Sequence, residues 1–296
     1  MTDAAPAPLR IGVALGGGAA QGFAHVVVLE ALDELGLRPA AVAGSSMGAI
    51  VGAAYAAGMS GAEIRAYATG LFRRRGDAFR RLWQLRPRRL GEVSLGLGQY
   101  DLVKVLRTFM PPGLPERIED LSLPLAVVAT DFYGGGEVVL REGPLLPALA
   151  ASSAVPMLFR AVALDGRVMI DGGCVNPVPY DRLGDVDLAI ASDVVSLPRG
   201  DPTRVPGAME TAAGSVVLVF KAILREKLRS ARPDLMINPP TGRFGPMDFH
   251  KAAAIIAACD RGKDEIRRRI ATAVEARPAA RPPAHRPGPD GGRGAR

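Results

Sequence analysis

Short apolar runs alternate with amphipathic segments through the first part of the chain. The run at residues 9–15 predicts a buried β-strand, residues 23–35 a helix stopped by Gly36, and residues 40–43 a second strand. Strand, helix and strand in this order form a βαβ unit, whose crossover makes the two strands parallel. The loops that follow both strands therefore emerge at the same edge of the sheet, where open α/β sheets bind ligands.

The later pattern predicts further elements of both kinds. Asp165-Gly166 is a strong turn signal between two short apolar arms and predicts a hairpin. The other predicted strands cover residues 123–130, 137–141 and 188–194, and the other predicted helices cover residues 148–154, 208–228 and 252–269. With 296 residues, 48% hydrophobic and 23% charged, the chain has the length and composition of a soluble globular protein of one large domain or two small ones.

The second predicted strand leads into Gly44-Ser45-Ser46-Met47-Gly48, and a small-residue helix follows at residues 49–57. Strand, sharp turn and helix with a serine at the turn is the arrangement of a nucleophile elbow. Glycines two residues either side of Ser46 allow a tight turn, and the helix N-terminus directs N–H groups towards an anion. A plain strand-to-helix turn would give the same local pattern, so this motif alone leaves both interpretations open.

The first predicted strand leads into Gly16-Gly17-Gly18-Ala19-Ala20-Gln21-Gly22. Beside a nucleophile elbow, such a loop suggests backbone N–H donors for an oxyanion hole. The rival interpretation is dinucleotide binding, which needs a second glycine where this chain has Ala19 and an acidic residue after the second strand. Neither feature is present, which disfavours a nucleotide cofactor.

A serine nucleophile needs a base, and the chain offers few histidines. His285 lies near the C-terminus, His250 near a helix start, and His25 in the helix after the glycine loop, where we expect a structural role. A partly buried aspartate at a strand end can take the proton instead if its pKa is raised. Three aspartates have that position, and their spacing leaves the choice open: Asp131, Asp171 and Asp193.

The net charge of +7 is unevenly distributed. Residues 277–296 carry five arginines and one aspartate among prolines and glycines, which predicts a disordered basic tail after a domain at 9–276 and a flexible N-terminus at 1–8. Residues 73–89 carry eight arginines with interleaved aromatic and aliphatic side chains. Both segments suit an anionic membrane surface, whereas nucleic acid is disfavoured because no nucleic-acid fold signature accompanies them. A solvated helix face is the alternative for residues 73–89.

The cysteine count and the lack of a secretory signal or membrane span indicate the compartment and the cofactor requirement. Two cysteines, Cys174 and Cys259, are too few for a disulfide framework or a metal site. Residues 1–9 lack the basic start and apolar stretch of a secretory signal, and no apolar run reaches the roughly 20 residues of a membrane span. We therefore expect a cytoplasmic protein, with peripheral contact to anionic membrane and no cofactor or metal. The oligomeric state is left open.

Several motifs in one order resemble the patatin-like phospholipase family, in particular its compact bacterial members, from about Leu9 to Gly262. The first two are the glycine loop with Gly22-Phe23-Ala24-His25, and the segment around Ser46. The others, in order, are Ser152-Ser153-Ala154-Val155-Pro156, Asp165-Gly166-Arg167, Asp171-Gly172-Gly173 and Asn176-Pro177-Val178-Pro179.

The resemblance implies a three-layer α/β/α fold with a mainly parallel sheet, related to the α/β-hydrolases. It also implies a metal-independent hydrolase that cleaves lipid acyl esters through an acyl-enzyme. Ser46 would be the nucleophile and Asp171, followed by Gly172 and Gly173, its base. The sets that would surround them are the oxyanion hole of Gly16, Gly17, Gly18 and Ala19 and the elbow residues Gly44, Met47 and Gly48.

Two residues depart from the family pattern. Ala19 stands where the family usually has glycine, which matters if the position needs a positive φ angle. Gln21 stands where the family usually has arginine or lysine, so a charge that could attract an anionic headgroup is missing. These departures keep a second hypothesis open, a non-catalytic lipid-binding or regulatory protein on the same fold. A soluble esterase for short acyl chains is a third.

Overall fold

The computed structural model describes residues 9–71, 101–156, 158–197, 201 and 203–277. The arginine-rich segment at 73–89, the N-terminus at 1–8 and the tail beyond Arg277 lie outside these residues. The expectations of membrane contact through the two arginine-rich segments therefore stay predictions.

The described strands form a single mixed sheet. Their bounds are β1 Ile11–Leu15, β2 Ala41–Ser45, β3 Leu125–Asp131, β4 Glu137–Leu140, β5 Val162–Leu164, β6 Arg167–Asp171, β7 Leu188–Ser192 and β8 Leu235–Ile237. β1 lies between β2 and β7, β3 lies outside β2, and β8 lies outside β7, all in parallel. β4 and β6 pair with β3 in antiparallel, and β5 pairs with β6. The predicted βαβ unit and the Asp165-Gly166 hairpin are both present.

Helices cover the two faces of this sheet. Their bounds are α1 His25–Glu34, α2 Met47–Ala56, α3 Gly61–Leu71, α4 Leu102–Phe109, α5 Leu145–Ser152, α6 Ala208–Ser230, α7 Ala252–Asp260 and α8 Lys263–Glu275. The predicted helix at 252–269 is in fact two helices, because the chain turns at Arg261 and Gly262. Helices α3 and α4 and the strand β8 were not predicted.

The strands alternate large and small buried side chains. Val13, Val42 and Ile190 point into the main core, which α1, α2 and α7 cover. The intervening alanines point to the other face, where they meet Leu224 of α6 and the segment around Tyr180. Alternation with period two is what a sheet with helices on both faces requires. The three-layer α/β/α fold class predicted above is confirmed.

The pairing of β2, β4 and β6 with β3 determines where the site lies. Ala129 and Thr130 of β3 pair with β4 on one edge of the strand, so β6, which pairs with the same two residues, must use the other edge. β2 occupies that edge as far as Val128, the partner of Ser45. Asp171 pairs with Ala129, the next residue along. β2 and β6 therefore meet end to end, which brings residue 46 to residue 171.

None of the helices resolved across the described ranges is sufficiently long and apolar to traverse a bilayer.

Candidate active site

Ser46 lies at a strained turn between β2 and α2. Its backbone has φ 53° and ψ −125°, a conformation that non-glycine residues rarely adopt and that costs about 1–3 kcal/mol. The flanking glycines make this turn possible by close approach. A Cβ on Gly44 would lie 2.4 Å from Cα of Ala49, and one on Gly48 would lie 2.0 Å from the carbonyl oxygen of Leu15. The local geometry matches the elbow predicted from the sequence, with Met47 as the first residue of α2.

Ser152 holds the turn from the side. Its hydroxyl accepts a hydrogen bond from the Ser46 N–H at 2.9 Å and donates one to the Val128 carbonyl at 2.5 Å. The Ser46 N–H is thus engaged, and the backbone of the elbow is tied to β3. No role of its own was predicted for Ser152, although it opens one of the motifs that carry the family resemblance.

Asp171 is the aspartate that the fold brings to Ser46. It is fully buried, and Oδ1 accepts the Gly173 N–H at 2.8 Å. The next residue, Gly172, passes so close to β3 that a Cβ there would lie 2.1 Å from the Val128 carbonyl oxygen and 2.7 Å from the Ser45 hydroxyl. The chain after Asp171 therefore turns across β3 towards β2.

Burial raises the pKa of the Asp171 carboxyl to about 6, although the Ser46 hydroxyl and the Gly173 N–H both act to lower it. The Ser46 hydroxyl is thus close enough to interact with the carboxyl. Oδ2 of Asp171, however, makes no hydrogen bond of normal geometry to any described residue. We regard the two side chains as neighbours whose hydrogen bond is not aligned, since bonds between reacting groups often tighten only when substrate is bound.

The other two candidate aspartates have different partners. Asp131 is the last residue of β3, and its carboxylate accepts the Gly134 N–H at 2.9 Å in the β3–β4 turn. Asp193 follows β7 and forms a 2.6 Å ion pair with Lys221 of α6. Neither contacts Ser46. The structure therefore distinguishes the three candidate aspartates, which their spacing in the sequence could not do.

The glycine loop passes directly beside Ser46, since a Cβ on Gly17 would lie 3.3 Å from the Cβ of Ser46. Among the four residues expected to form the oxyanion hole, Gly16 to Ala19, two N–H groups have backbone acceptors. Gly16 N donates to Ser192 O and Gly17 N donates to Pro177 O, both at 2.9 Å. The N–H groups of Gly18 and Ala19 donate to no residue that the structure describes, which leaves them able to bind an anion.

Ala19 has φ 46°, the left-handed region that glycine adopts without strain. The position therefore uses a positive φ angle, and alanine adopts it. The cost is about 1–2 kcal/mol, and the N–H group is retained.

Gln21 faces inward. Its amide nitrogen donates to the Phe244 carbonyl at 2.7 Å, its oxygen accepts the Ser196 N–H at 3.4 Å, and the residue is 6% exposed. Position 21 of this chain is therefore enclosed by protein, and its side chain is not presented to a lipid headgroup. The side chain ties the glycine loop to the segments that follow β7 and β8.

This inward position gives a testable prediction. Gln21→Arg should lower the melting temperature by at least about 5 °C, because it would bury a charge with no acid partner. The measurement is thermal denaturation, with Gln21→Met as the control that removes both hydrogen bonds without adding charge. If Gln21→Arg instead left stability unchanged and raised turnover of anionic phospholipids alone, position 21 would act on the headgroup and the inward placement would be contradicted.

His25 is fully buried and bonded at both ring nitrogens. Nε2 lies 2.8 Å from the Gly16 carbonyl oxygen, which can only accept, so Nε2 carries the proton and Nδ1 accepts from the Ser192 hydroxyl at 2.9 Å. Burial lowers its pKa to about 4, while the bond to Gly16 acts in the opposite direction. The structural role predicted for His25 is confirmed: it joins the glycine loop to β7.

A second network, which sequence reasoning missed, holds the segment behind the loop. Lys227 of α6 donates to Asn176 Oδ1 at 2.5 Å and to the Val178 carbonyl at 2.9 Å, and its Nζ lies 4.2 Å from the centroid of the Tyr180 ring. Pro177, in the same segment, accepts the Gly17 N–H. A lysine distant in sequence thus supports the glycine loop from behind.

The described structure is a three-layer α/β protein with a serine at a strained turn, a buried aspartate beside it and a loop of N–H donors. A family model for the patatin-like phospholipases matches residues 13–183, which is more than half of the chain. The chain therefore belongs to the patatin-like phospholipase family.

Individual proteins show the same relationship. The chain is 37% identical over 185 residues to the uncharacterized NTE family protein Rv1063c of Mycobacterium tuberculosis, covering 62% of this chain and 48% of that protein. It is 27% identical over 270 residues to human patatin-like phospholipase domain-containing protein 6, covering 81% of this chain and 19% of that protein. The chain thus spans about half of the mycobacterial relative and a fifth of the human one.

Among solved structures, VipD from Legionella pneumophila matches with a TM-score of 0.48 at 16% identity, covering 89% of this chain and 68% of that one.

Proposed function

We propose that this protein is a serine acyl-hydrolase that cleaves acyl esters of lipids through an acyl-enzyme. Family membership supports the reaction class. The observation that carries the proposal is the pair formed by Ser46 at its strained turn and the buried Asp171, whose pKa is raised to about 6. A carboxylate with a pKa near the working pH is suited to take a proton and return it.

Each side chain has a step in the proposed reaction. Ser46 Oγ attacks the ester carbonyl while its proton passes to Oδ2 of Asp171. The tetrahedral intermediate collapses, the alcohol leaves with that proton, and an acyl-serine remains. Water, which loses a proton to the same carboxylate, then attacks the acyl-serine, and the acid is released as the proton returns to Ser46.

Negative charge develops on the carbonyl oxygen in both tetrahedral intermediates. The N–H groups of Gly18 and Ala19 are the loop donors proposed to bind it, since those of Gly16 and Gly17 already have acceptors. The first turn of α2, beginning at Met47, adds the positive end of a helix dipole beside the nucleophile. Backbone donors held by a rigid loop need no rearrangement as the charge forms.

The alternative of a non-catalytic lipid-binding protein rested on Ala19 and Gln21. Ala19 keeps its N–H at a positive φ angle, and Gln21 anchors the loop from the inside. Both observations favour the hydrolase, because neither substitution removes a donor from the loop. Labelling with a fluorophosphonate probe tests the choice between these two functions directly, since it requires an activated serine.

The proposed base gives a pH prediction. Only the ionised carboxylate of Asp171 can accept the serine proton, so kcat/KM should rise about tenfold per pH unit below pH ~6 and level off above it. The measurement is hydrolysis of a soluble p-nitrophenyl ester across that range, with protein integrity followed by circular dichroism. A rate that was flat through pH 6, or that changed only near the pKa of His25 at about 4, would contradict the assignment.

A further inference from the structure

Large apolar side chains that are at least half exposed share one end of the described molecule. They are Phe132, Tyr133, Leu197, Val205, Leu218, Val219 and Met247, with exposed fractions from 52% to 87%. Single exposed apolar residues need no explanation, but a set confined to one end of a fold marks an interaction surface. We call this set the apolar rim.

The strand directions show where the rim lies. β2, β3, β7 and β8 are all parallel to β1, so their carboxyl ends share one edge of the sheet, the edge from which Ser46 emerges. Phe132 and Tyr133 follow β3 directly, with ring centroids 5.1 Å apart. Leu197 lies beyond the end of β7, and Met247 follows Pro246, whose carbonyl accepts the Ala20 N–H of the glycine loop at 3.0 Å. Each of these residues therefore projects from the edge that carries the site.

Helix α6 carries Leu218 and Val219 of the rim and extends beyond the site. Its 23 residues span about 34 Å, whereas a five-residue strand spans about 17 Å. Leu224 packs on the sheet face, and a Cβ on Gly173 would lie 2.5 Å from the Phe220 ring, so Phe220 is level with the loop after Asp171. The preceding twelve residues, 208–219, therefore project about 18 Å past the site.

This projecting segment is mostly apolar, and the helix is tied to the site directly below it. Its one charged side chain is Glu210, and none of its described side chains from 210 to 219 is buried. Just below it, Lys221 forms the 2.6 Å ion pair with Asp193, an interaction shielded from solvent because Asp193 is 6% exposed. The segment after β7 and the helix are thus joined at the level of the site.

We infer that the apolar rim is a docking surface for a lipid bilayer, with residues 208–219 of α6 as its main contact. The inference rests on the proposed function, since it names the physical state in which the substrate is met. A lipid ester must leave a bilayer to reach Ser46. Apolar side chains around the opening of the site would insert into the acyl region of the bilayer while the lipid moves into the site. The continuity of the rim with the site and the near absence of charge on residues 208–219 favour a lipid surface over a charged partner.

The test uses phosphatidylcholine vesicles, which carry no net charge and so remove attraction through arginines. In a Ser46→Ala background, which leaves the vesicles intact, Leu218→Asp with Val219→Asp should lower the vesicle-bound fraction by at least about tenfold. The loss should be equal at low and high salt, because apolar insertion is not screened. The control is Ser230→Asp with Thr272→Asp, which adds two acids at exposed positions away from the rim and should bind as the parent does.

A second measurement separates this inference from the proposed function. In the Ser46 protein, the rim variant should hydrolyse a soluble short-chain ester with unchanged kcat/KM but act at least about tenfold more slowly on vesicle phospholipid. Absence of any hydrolysis would refute the proposed function and leave the binding result intact. Unchanged vesicle binding by the rim variant, or equal loss in the control, would overturn the inference. So would a change in sedimentation coefficient that showed the rim to be a contact between two copies of the chain.

Discussion

Replacing Ser46 by alanine is expected to abolish both ester hydrolysis and labelling by a fluorophosphonate probe. Among the described residues, it is the serine at a strained strand-to-helix turn beside a loop with available N–H groups. Because the hydroxyl forms the acyl-enzyme, no residual path through the same intermediate remains, and a loss of about 10⁴-fold or more is expected.

Ser45 offers a matched control one residue away. Its hydroxyl is also buried, and it makes no hydrogen bond to a described residue. Ser45→Ala removes a neighbouring serine hydroxyl and leaves the proposed nucleophile in place, so labelling and turnover should stay within about threefold of the parent. Labelling that survived in Ser46→Ala, or that disappeared equally in both variants, would be incompatible with Ser46 as the nucleophile.

The second large effect concerns Asp171. Asp171→Asn keeps the shape of the side chain and its bond from Gly173 N but cannot take a proton from Ser46. Because general-base catalysis contributes about 10²–10⁴-fold, kcat should fall by at least about 100-fold. Steady-state kinetics on a soluble ester measure this loss. Asp131→Asn, at the end of the neighbouring strand, should leave kcat nearly unchanged.

The same substitution should not weaken the fold. The pKa of Asp171 is raised from 3.8 to about 6, so the folded protein holds this proton more tightly than the unfolded chain does. Ionisation therefore removes stability as the pH rises through about 4 to 6, and the loss is complete above that range. A neutral asparagine avoids it, so the melting temperature near pH 8 should be equal to or above that of the parent.

For His25 we expect the opposite result, a loss of stability and not of catalysis. His25→Ala should lower stability, because it leaves the Gly16 carbonyl and the Ser192 hydroxyl without their partner, and should affect turnover mainly through that loss. If a folded His25→Ala protein were inactive while Asp171→Asn kept most of its activity, the base would be a histidine and the proposed mechanism would be wrong.

The groups proposed for catalysis lie at one edge of the sheet, and several of them lower the stability of the fold. The positive φ angles of Ser46 and Ala19 and the buried carboxyl of Asp171 all cost stability. Hydrogen bonds from Ser152 and His25 hold the same loops in position. Strain concentrated at a site and supported by surrounding bonds is typical of preorganised catalytic centres.

Much of the local structure could be predicted because it depends on short-range pattern. A short continuous apolar run defines β1 at Ile11–Leu15, and Asp165-Gly166 gives the hairpin because both residues adopt the positive φ angles of its turn. The helix at 208–228 was predicted nearly to its ends. The break at Gly262 was missed, since apolar spacing continues across it and the interruption depends on how α7 and α8 pack.

The sequence by itself determined the βαβ unit, the serine turn after β2 and the glycine loop after β1. The motifs that resemble the family implied that Ser46 pairs with Asp171, while spacing left three aspartates open. Tertiary structure decided which aspartate meets the serine, because β6 takes the edge of β3 where β2 ends, and strand pairing between distant segments is not encoded in local spacing. It also decided that Gln21 faces inward and that the N–H groups of Gly16 and Gly17 donate to the carbonyls of Ser192 and Pro177. Hydrogen-bond partners of this kind come from residues far along the chain, so they are fixed only once the whole sheet has assembled.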